Sequence, residues 1–371
     1  MKRHLRCLLQ TLSPVHVGCD EVYEPMGFVL DEENGQLIAF DPFSFLSQLN
    51  EKDKMKFSQI CSKGTISSIL EIYKFLKGRK TEGRPIKVCQ GFVENYKKTL
   101  SIPEQDTRKI QQELNRFTIE RTSFNPGDQK PYISGSGVKG AIRTAYLNKM
   151  AQRKKVQTPR GERAGRDLEK VLLDGGAFET DPFRMIKVSD FHPVGSVATK
   201  IVFAVNEKKI SSQYEARGPY QILEVIEPGA LFEGGITVEE PHQQAGIKSP
   251  ISLELLLESI SLFFRKEMGR ENEELKRVGI PGTDIPENDN FVLIRFGRHS
   301  GAESLTIEGH RNIKIMLEKG QKRYENHATT FWLASEVAKP KIKKNLLPFG
   351  WAALGELTEE LEKKIEKMKK I

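Results

Sequence analysis

An α+β fold with a βαββαβ order of elements is what the sequence predicts, on three observations. Residues 4–12 alternate loosely between apolar and polar side chains and stop at Ser13-Pro14, which reads as an opening strand. Two segments, one beginning near Ser136 and one after Ser249-Pro250, carry apolar residues at helical spacing behind capping residues. Short apolar runs at Phe183–Val188, Thr199–Val205, Tyr220–Glu239 and Phe291–Phe296 lie between and after them. In order, strand, helix, strands, hairpin, helix and strand make an antiparallel sheet covered by two helices, the ferredoxin-like or RRM-like arrangement.

Each element has its own local reason. Phe28-Val29-Leu30 and Leu37-Ile38-Ala39-Phe40 read as hairpin arms joined by the turn-rich Asp31–Gly35, after a loop over GCDEVYEP. Asp41-Pro42 fits a helix start. From 43 to 118 the pattern is helical, with Ile66, Ile69, Leu70, Tyr73 and Leu76, and later Ile110, Leu114 and Phe117, at three- and four-residue spacings. This reads as a large helical insertion that divides a core of residues 1–42 and 119–310. Tyr132-Ile133 reads as a short strand running into the helix SGSGVKGAIRTAYLNKM. The basic stretch RKKVQTPRGERAGRDLEK reads as an exposed, mobile loop. Pro228-Gly229 is the expected turn of the hairpin over Tyr220–Glu239, and ISLELLLESISLFFRKEM is apolar enough to lie on a sheet. Residues 311–371 form a C-terminal extension, whose last part places Leu361, Ile365, Met368 and Ile371 on one stripe of an amphipathic helix. No internal repeat is visible, although a second, degenerate ferredoxin-like half is compatible with the pattern.

Composition narrows the function. The chain has 371 residues, 38% hydrophobic and 29% charged, with no run near the ~20 apolar residues of a membrane span. Twenty Phe residues and spaced Leu, Ile and Val are enough to fill a core, which excludes wholesale disorder. The four cysteines, Cys7, Cys19, Cys61 and Cys89, are far apart with no CxxC pair, so neither a disulfide framework nor a zinc site is expected, and a reducing cytoplasm is the default. The N-terminal MKRHLRCLLQTLSP lacks the unbroken apolar stretch of a signal peptide. Fifty-eight Lys and Arg against fifty Asp and Glu give a formal charge of +8, which admits nucleic acid as a partner without demanding it. The excess is concentrated: between Lys139 and Lys170 ten bases face only Glu162, Asp167 and Glu169. Such density suits an RNA backbone, with counterion release as the driving force; the plainer reading is a solvated helix and loop.

Two glycine-rich loops carry the candidate contacts. Ser134-Gly135-Ser136-Gly137-Val138-Lys139-Gly140 stands between strand and helix, where free N–H groups favour anions, and Lys139 and Arg143 share one face of the first turns. A phosphodiester would suit this site; a capped turn with two solvated bases is the alternative. Gly135, Gly137 and Gly140 satisfy GxGxxG, but no acidic residue follows at dinucleotide spacing, and Ala141 stands where a Walker loop needs Ser or Thr. No HRD or DFG follows either. No cofactor is expected. The second loop, Gly297-Arg298-His299-Ser300-Gly301, offers an Arg that can pair with phosphate or stack on a base, or else a plain hairpin loop. His16, just past the first strand, and His299 are the only positions where an RNA-cleaving general acid or base is conceivable, and a packing role fits His16 better. His192, His242, His310 and His327 lack metal-ligand spacing, and no GxSxG, HExxH or paired-carboxylate motif occurs, so no metal site and no catalytic residue are assigned.

Together LSPVHVG, PYISGSGVKGAIRTAYL, EVIEPGALFEGGITVE and GRHSGAES resemble the RAMP superfamily of CRISPR proteins. PYISGSGVKGAIR is similar to that family's Pro-Gly-Ser-Ser-Leu-Lys-Gly-Ala-hydrophobic-Arg signature, with Ser134 in place of Pro, Gly137 in place of the second Ser and Val138 in place of Leu. GRHSGAESLTIEG with the later LPFGW narrows the likeness to the fifth-subunit branch of type III-A (Csm) effector complexes; it spans roughly residues 5–355. The resemblance implies ferredoxin-like architecture and a non-catalytic subunit that binds crRNA near its 3′ end and packs on the repeating backbone subunit. It also implies a part in guide maturation through a separate host nuclease, with no membrane involved. Backbone subunits cut target RNA with an aspartate after the first strand; the matching stretch Tyr23–Gly27 offers Glu24 but no Asp, with Asp20 and Glu21 nearby. Carried over, the expected RNA contacts are Ser134, Gly135, Ser136, Gly137, Lys139 and Arg143, then Gly297, Arg298, His299 and Gly301, with Arg153, Lys154 and Lys155 from the basic run. If the two loops lie close together they form one groove. The alternative function is a metal-independent RAMP endoribonuclease that processes crRNA with a His general acid or base.

Overall fold

The structure, a computed structural model, describes residues 2–159, 161–175, 177–210, 212, 216, 218–286, 291–317 and 320–363. Strands β1 (Lys2–Thr11) and β2 (Gly18–Val22) precede the hairpin β3 (Phe28–Asp31) and β4 (Gln36–Ala39). Helices α1 (Pro42–Gln48), α2 (Glu51–Ser62) and α3 (Ile66–Leu76) follow, then β5 (Arg84–Val88), α4 (Gln90–Leu100), α5 (Thr107–Arg116) and β6 (Ile119–Thr122). The long α6 (Gly135–Lys154) and α7 (Ala164–Leu173) lead to β7 (Ile186–Val188), β8 (His192–Pro193), β9 (Thr199–Lys208), β10 (Gln221–Ile226) and β11 (Leu231–Glu239). After α8 (Leu253–Arg277) come β12 (Phe291–Arg295), β13 (Ile313–Met316), β14 (Lys322–Glu325), β15 (Thr330–Ser335), β16 (Leu347–Pro348) and β17 (Trp351–Glu356).

These elements form an α+β fold with two main sheets. The first runs β12-β17-β1-β11-β7, with β8 also on β11. Helices α6 and α8 cover it, and Val138, Ile142, Tyr146, Ile260 and Phe264 pack against Leu9, Phe232, Ile236 and Trp351. The second runs β2-β6-β10-β9-β5-β4-β3, and β15 pairs with the later half of β9. Here Leu70, Tyr73, Phe92, Tyr96 and Phe117 from α3 to α5 and the residue beyond pack on Ile201, Phe203, Ile222 and Phe331. At roughly 1.5–3 kcal/mol for each large apolar side chain removed from water, these two interiors are the main source of stability.

Local chemistry sets the helix starts as the sequence indicates. Asp41 caps α1, accepting from the Ser44 N–H at 2.7 Å, with Pro42 in the first turn. Ser134 caps α6, and the β3–β4 hairpin forms with Gly35 at φ +60° in its turn. Several expectations are corrected. Ser252, not Ser249, caps α8; Ser249 instead donates its hydroxyl to Asp174 at 2.7 Å. The basic stretch after α6 is not a loop throughout, since α7 forms there by burying Leu168, Leu172 and Leu173. Tyr132-Ile133 is no strand; Ile133 makes a single bridge to Phe191. Residues Pro182–Met185 form a 3₁₀ turn, leaving only Ile186–Val188 extended. GCDEV, read as loop, is β2, on the edge of the second sheet.

The largest correction concerns Tyr220–Glu239. Its two arms turn at Pro228-Gly229 as expected, but they enter different sheets: β10 pairs with β9 and β6, whereas β11 pairs with β1 and β7. Nor is β12 the strand beside β1. β17 lies between them, antiparallel to both, so the last strand among the described residues closes on the first. The segment 43–118 is helical apart from β5, which pairs with β4 and, in parallel, with β9. A final helix begins at Glu359; Ile365, Met368 and Ile371 lie outside the described residues. All four cysteines are free, and burial pushes the Cys7 and Cys89 thiols up to about 12, leaving them unreactive. Among the described residues no helix is long and apolar enough to cross a membrane.

Candidate nucleic-acid interface

The first loop is shaped by packing as much as by capping. A Cβ on Gly135 would lie 2.4 Å from the carbonyl oxygens of both Val188 and Ser189, so only glycine lets α6 start against β7. The Gly135 N–H donates to Asp190 Oδ1 at 2.7 Å, and Ser134 Oγ accepts from the Gly137 N–H. The positive end of α6 thus already carries one carboxylate, which a sequence reading of free amides could not foresee. Ser136, Gly137 and Gly140 stay exposed, and nothing lies within 4 Å of a Cβ built on Gly140.

The cations along α6 have unequal roles. Arg143 is held on both sides, by Glu169 at 2.7 Å and Asp181 at 2.9 Å, and lies 4.9 Å over the Phe183 ring. It ties α6 to α7 and to the 3₁₀ turn. Lys139 is half-buried beside a cleft of about 340 Å³ that it shares with Arg143, Phe178, Asp181, Arg184 and Lys187. Burial, then Lys187, lowers the Lys139 ammonium below its ordinary value; Asp181 opposes them and Arg143 adds to them. Arg153, Lys154 and Lys155 stand at the far end of α6, roughly 30 Å from Gly135 along a 20-residue helix. Lys154 pairs with Asp174 at 2.7 Å, whereas Arg153 and Lys155 are exposed. Of the remaining bases in the run, Lys149 is buried against Glu258, and Arg160 lies outside the described residues.

The second loop leans on other elements. Gly297 (φ +85°) leaves room for the His16 carbonyl, which accepts from the Arg298 N–H at 2.9 Å. Arg298 pairs with Glu120, and His299 Nε2 shares a hydrogen bond with Gln221 Oε1 at 2.8 Å. The His299 ring stacks on Trp332 at 4.3 Å, and Gly301 (φ +81°) passes the buried Arg295. Among the described residues, no hydrogen bond or ion pair joins this loop to Ser134–Gly140; each is set by different neighbours. His16 is itself buried, with Nδ1 2.7 Å from the Glu224 carbonyl oxygen, next to a network in which the Glu224 carboxylate accepts from Tyr23 at 2.8 Å and Arg84 at 3.1 Å. The network, and the aromatic cleft beside Lys139, have no short-range signature in the sequence.

Both histidines are pushed toward neutrality. Burial first, then Arg298 and His16, lowers His299 to about 3. Burial and Arg298 lower His16, outweighing its bond to the Glu224 carbonyl and the attraction of Glu120. In an unfolded chain a histidine titrates near 6.5. Between about pH 6.5 and about 3 the unfolded chain therefore binds protons that the native chain refuses, so stability is full above that window and falls as pH drops through it. His299→Asn keeps a side chain that tolerates the left-handed backbone (φ +62°) and removes one of these protons. Relative to the unaltered chain, it is expected to flatten the loss of stability by about 1.4 kcal/mol per pH unit within the window. Urea unfolding at about pH 7 and about pH 5 reads the difference. Equal losses in the two proteins contradict it.

The model of the RAMP superfamily matches residues 8–277 of the chain. No curated protein matches it. Among solved structures, a chain of a Csm–crRNA–target RNA ternary complex of a type III-A CRISPR–Cas system superposes with a TM-score of 0.57 at 18% identity, covering 95% of this chain and 100% of that one. Csm5 of T. onnurineus superposes with a TM-score of 0.54 at 17% identity, covering 93% of this chain and 99% of that one. At these identities the likeness is one of fold.

Proposed function

Because the chain belongs to the RAMP superfamily, we propose that it is an RNA-binding subunit of a type III-A CRISPR (Csm) interference complex, capping the crRNA near its 3′ end. The observation that carries this reading is end-to-end likeness: the chain accounts for the whole length of a chain drawn from a Csm–crRNA–target RNA complex, and almost the whole of Csm5. A shared domain alone would match in part only. In this reading the subunit works in the cytoplasm, packs on the repeating backbone subunit, serves assembly and antiviral defence, and supports guide maturation by a separate nuclease.

Chemistry supports binding rather than cleavage. A general acid or base must reach the scissile phosphate and change protonation near neutral pH. His16 is buried with its ring bonded to a backbone carbonyl, and His299 is stacked on Trp332 and lowered to about 3, so both are built as packing groups. Lys139 and Arg298 are the cations best placed to meet phosphate, one in each loop. Contacts of this kind give affinity without reading sequence, as a subunit serving many guides requires.

Each phosphate contact to a single strand contributes about 0.7 to the slope of log K against log salt. Lys139→Ala combined with Arg298→Ala is expected to lower that slope by roughly 1.4 and to weaken binding several-fold at low salt, with thermal unfolding changed only modestly, since a half-buried surface pair such as Arg298–Glu120 is worth about 1 kcal/mol. Fluorescence anisotropy with a labelled repeat-derived RNA over a salt series measures this. An unchanged slope and affinity remove the two loops as the RNA contact.

A further inference from the structure

We infer that the cleft between the start of α6 and the turn after α7 is a nucleotide subsite, where Phe178 stacks on one base of single-stranded RNA while Lys139, Lys187 and Arg184 hold the flanking phosphates. This deepens the RNA-binding reading and rests on it.

Phe178 opens a 3₁₀ turn (Phe178–Thr180) and the residue is 75% exposed, an unusual place for a phenyl ring. The ring is not loose: the Arg184 guanidinium lies 4.8 Å from its centroid, and Arg184 Nη1 donates to the Glu179 carbonyl oxygen at 3.0 Å. An exposed ring already paired with a guanidinium presents the two flat surfaces on which unpaired bases stack. Beneath it the floor is fixed. Phe183 is buried under Arg143 and meets Tyr146 edge-on at 5.5 Å.

Charge on the cleft is unbalanced. Asp181 and Glu169 are both spent on Arg143 at 2.9 and 2.7 Å, which leaves the exposed Glu179, beside Phe178, as the one other carboxylate of the turn against the three cations Lys139, Arg184 and Lys187. Among the described residues, neither Lys139, Arg184 nor Lys187 forms an ion pair of its own. Lys139 and Lys187 repel each other, the second cause of the lowered Lys139 ammonium, and a phosphate between them would relieve that repulsion. The volume, about 340 Å³, is at the small end of ligand-sized clefts (about 300–1,000 Å³), which suits one nucleotide of a strand rather than a folded partner. A protein-docking surface would need more apolar area than one ring supplies.

The test uses the full chain and a fluorescein-labelled oligouridylate, with a second oligonucleotide carrying 5-iodouridine for ultraviolet crosslinking and peptide mapping. Phe178→Ala is expected to weaken binding about ten-fold, Phe178→Trp to keep it, and Lys187→Ala to lower the salt slope by about 0.7. The crosslink is expected on the peptide containing Phe178. Because Phe178 is exposed, its variants should unfold at the temperature of the parent, which circular dichroism checks. A parent chain that binds RNA while Phe178→Ala binds equally well, with crosslinks elsewhere, overturns the subsite alone. A parent chain that binds no single-stranded RNA overturns the RNA-binding reading and the subsite with it.

Discussion

Glu271→Ala is expected to cost the fold about 3–5 kcal/mol, a large share of the roughly 5–15 kcal/mol that holds a typical domain together. Glu271 on α8 is buried, and its two oxygens are both taken: Oε1 by Arg295 of β12 at 2.7 Å, Oε2 by the Trp351 indole N–H of β17 at 2.8 Å. Arg295 is 1% exposed, donates its Nε–H to the Phe349 carbonyl oxygen at 2.9 Å and lies 4.8 Å over the Trp351 ring. Removing the carboxylate strands a buried guanidinium that cannot shed its proton and loses its charged partner. The effect reaches function through position, because Arg295 ends β12 and only Phe296 separates it from the loop Gly297–Gly301. If the pair is a matter of charge compensation, Glu271→Leu with Arg295→Met should recover part of the loss, since buried pairs are often replaceable by apolar residues, while the Trp351 indole N–H and the Phe349 carbonyl stay without these partners. Urea unfolding of the single and double variants measures both terms. A single variant as stable as the parent contradicts the role assigned to the pair.

Opposite signs are expected from two glycines five residues apart in one motif. At Gly135, an added methyl meets two backbone carbonyl oxygens at 2.4 Å, which cannot move without shifting β7. Such overpacking costs about 1–3 kcal/mol and outweighs the ~0.5–1 kcal/mol that alanine gains over glycine inside a helix. Gly135→Ala should therefore destabilise by roughly 1–2 kcal/mol and also loosen the Asp190 contact that holds the start of α6. At Gly140 nothing lies within 4 Å, so Gly140→Ala keeps the helical gain and should stabilise by about 0.5–1 kcal/mol. Urea midpoints of the two variants are expected to move apart. Movement in the same direction refutes the packing explanation.

Local features were legible in the sequence because local chemistry decides them. Asp41-Pro42 and the Asp31–Gly35 turn act within a few residues and form where the sequence places them, and α6 starts at Gly135, one residue before the expected Ser136. The pairing of β17 with β1 is a contact between opposite ends of the chain, and no periodicity announces it. Pro228-Gly229 turns the chain whether the strands beside it stay together or part, so sequence could not tell a hairpin from a crossing between sheets. The helix α7 is masked by its own composition: bases surround Leu168, Leu172 and Leu173, the few apolar residues that it buries. The same division holds at the candidate interface. Cations could be counted from the sequence, but not their occupation, and it is Glu169 and Asp181 that turn Arg143 into a tie between elements. Nor could Phe178, thirty-nine positions from Lys139, be assigned to the same cleft before the fold brought them together.

The most direct test of the proposed role is to co-express the chain with the other subunits of a type III-A effector, place a single 4-thiouridine at successive guide positions, and map which positions crosslink to it. Attachment confined to the 3′-proximal guide nucleotides is expected. Attachment only toward the 5′ end, or none while the other subunits crosslink normally, would contradict a subunit that caps the guide.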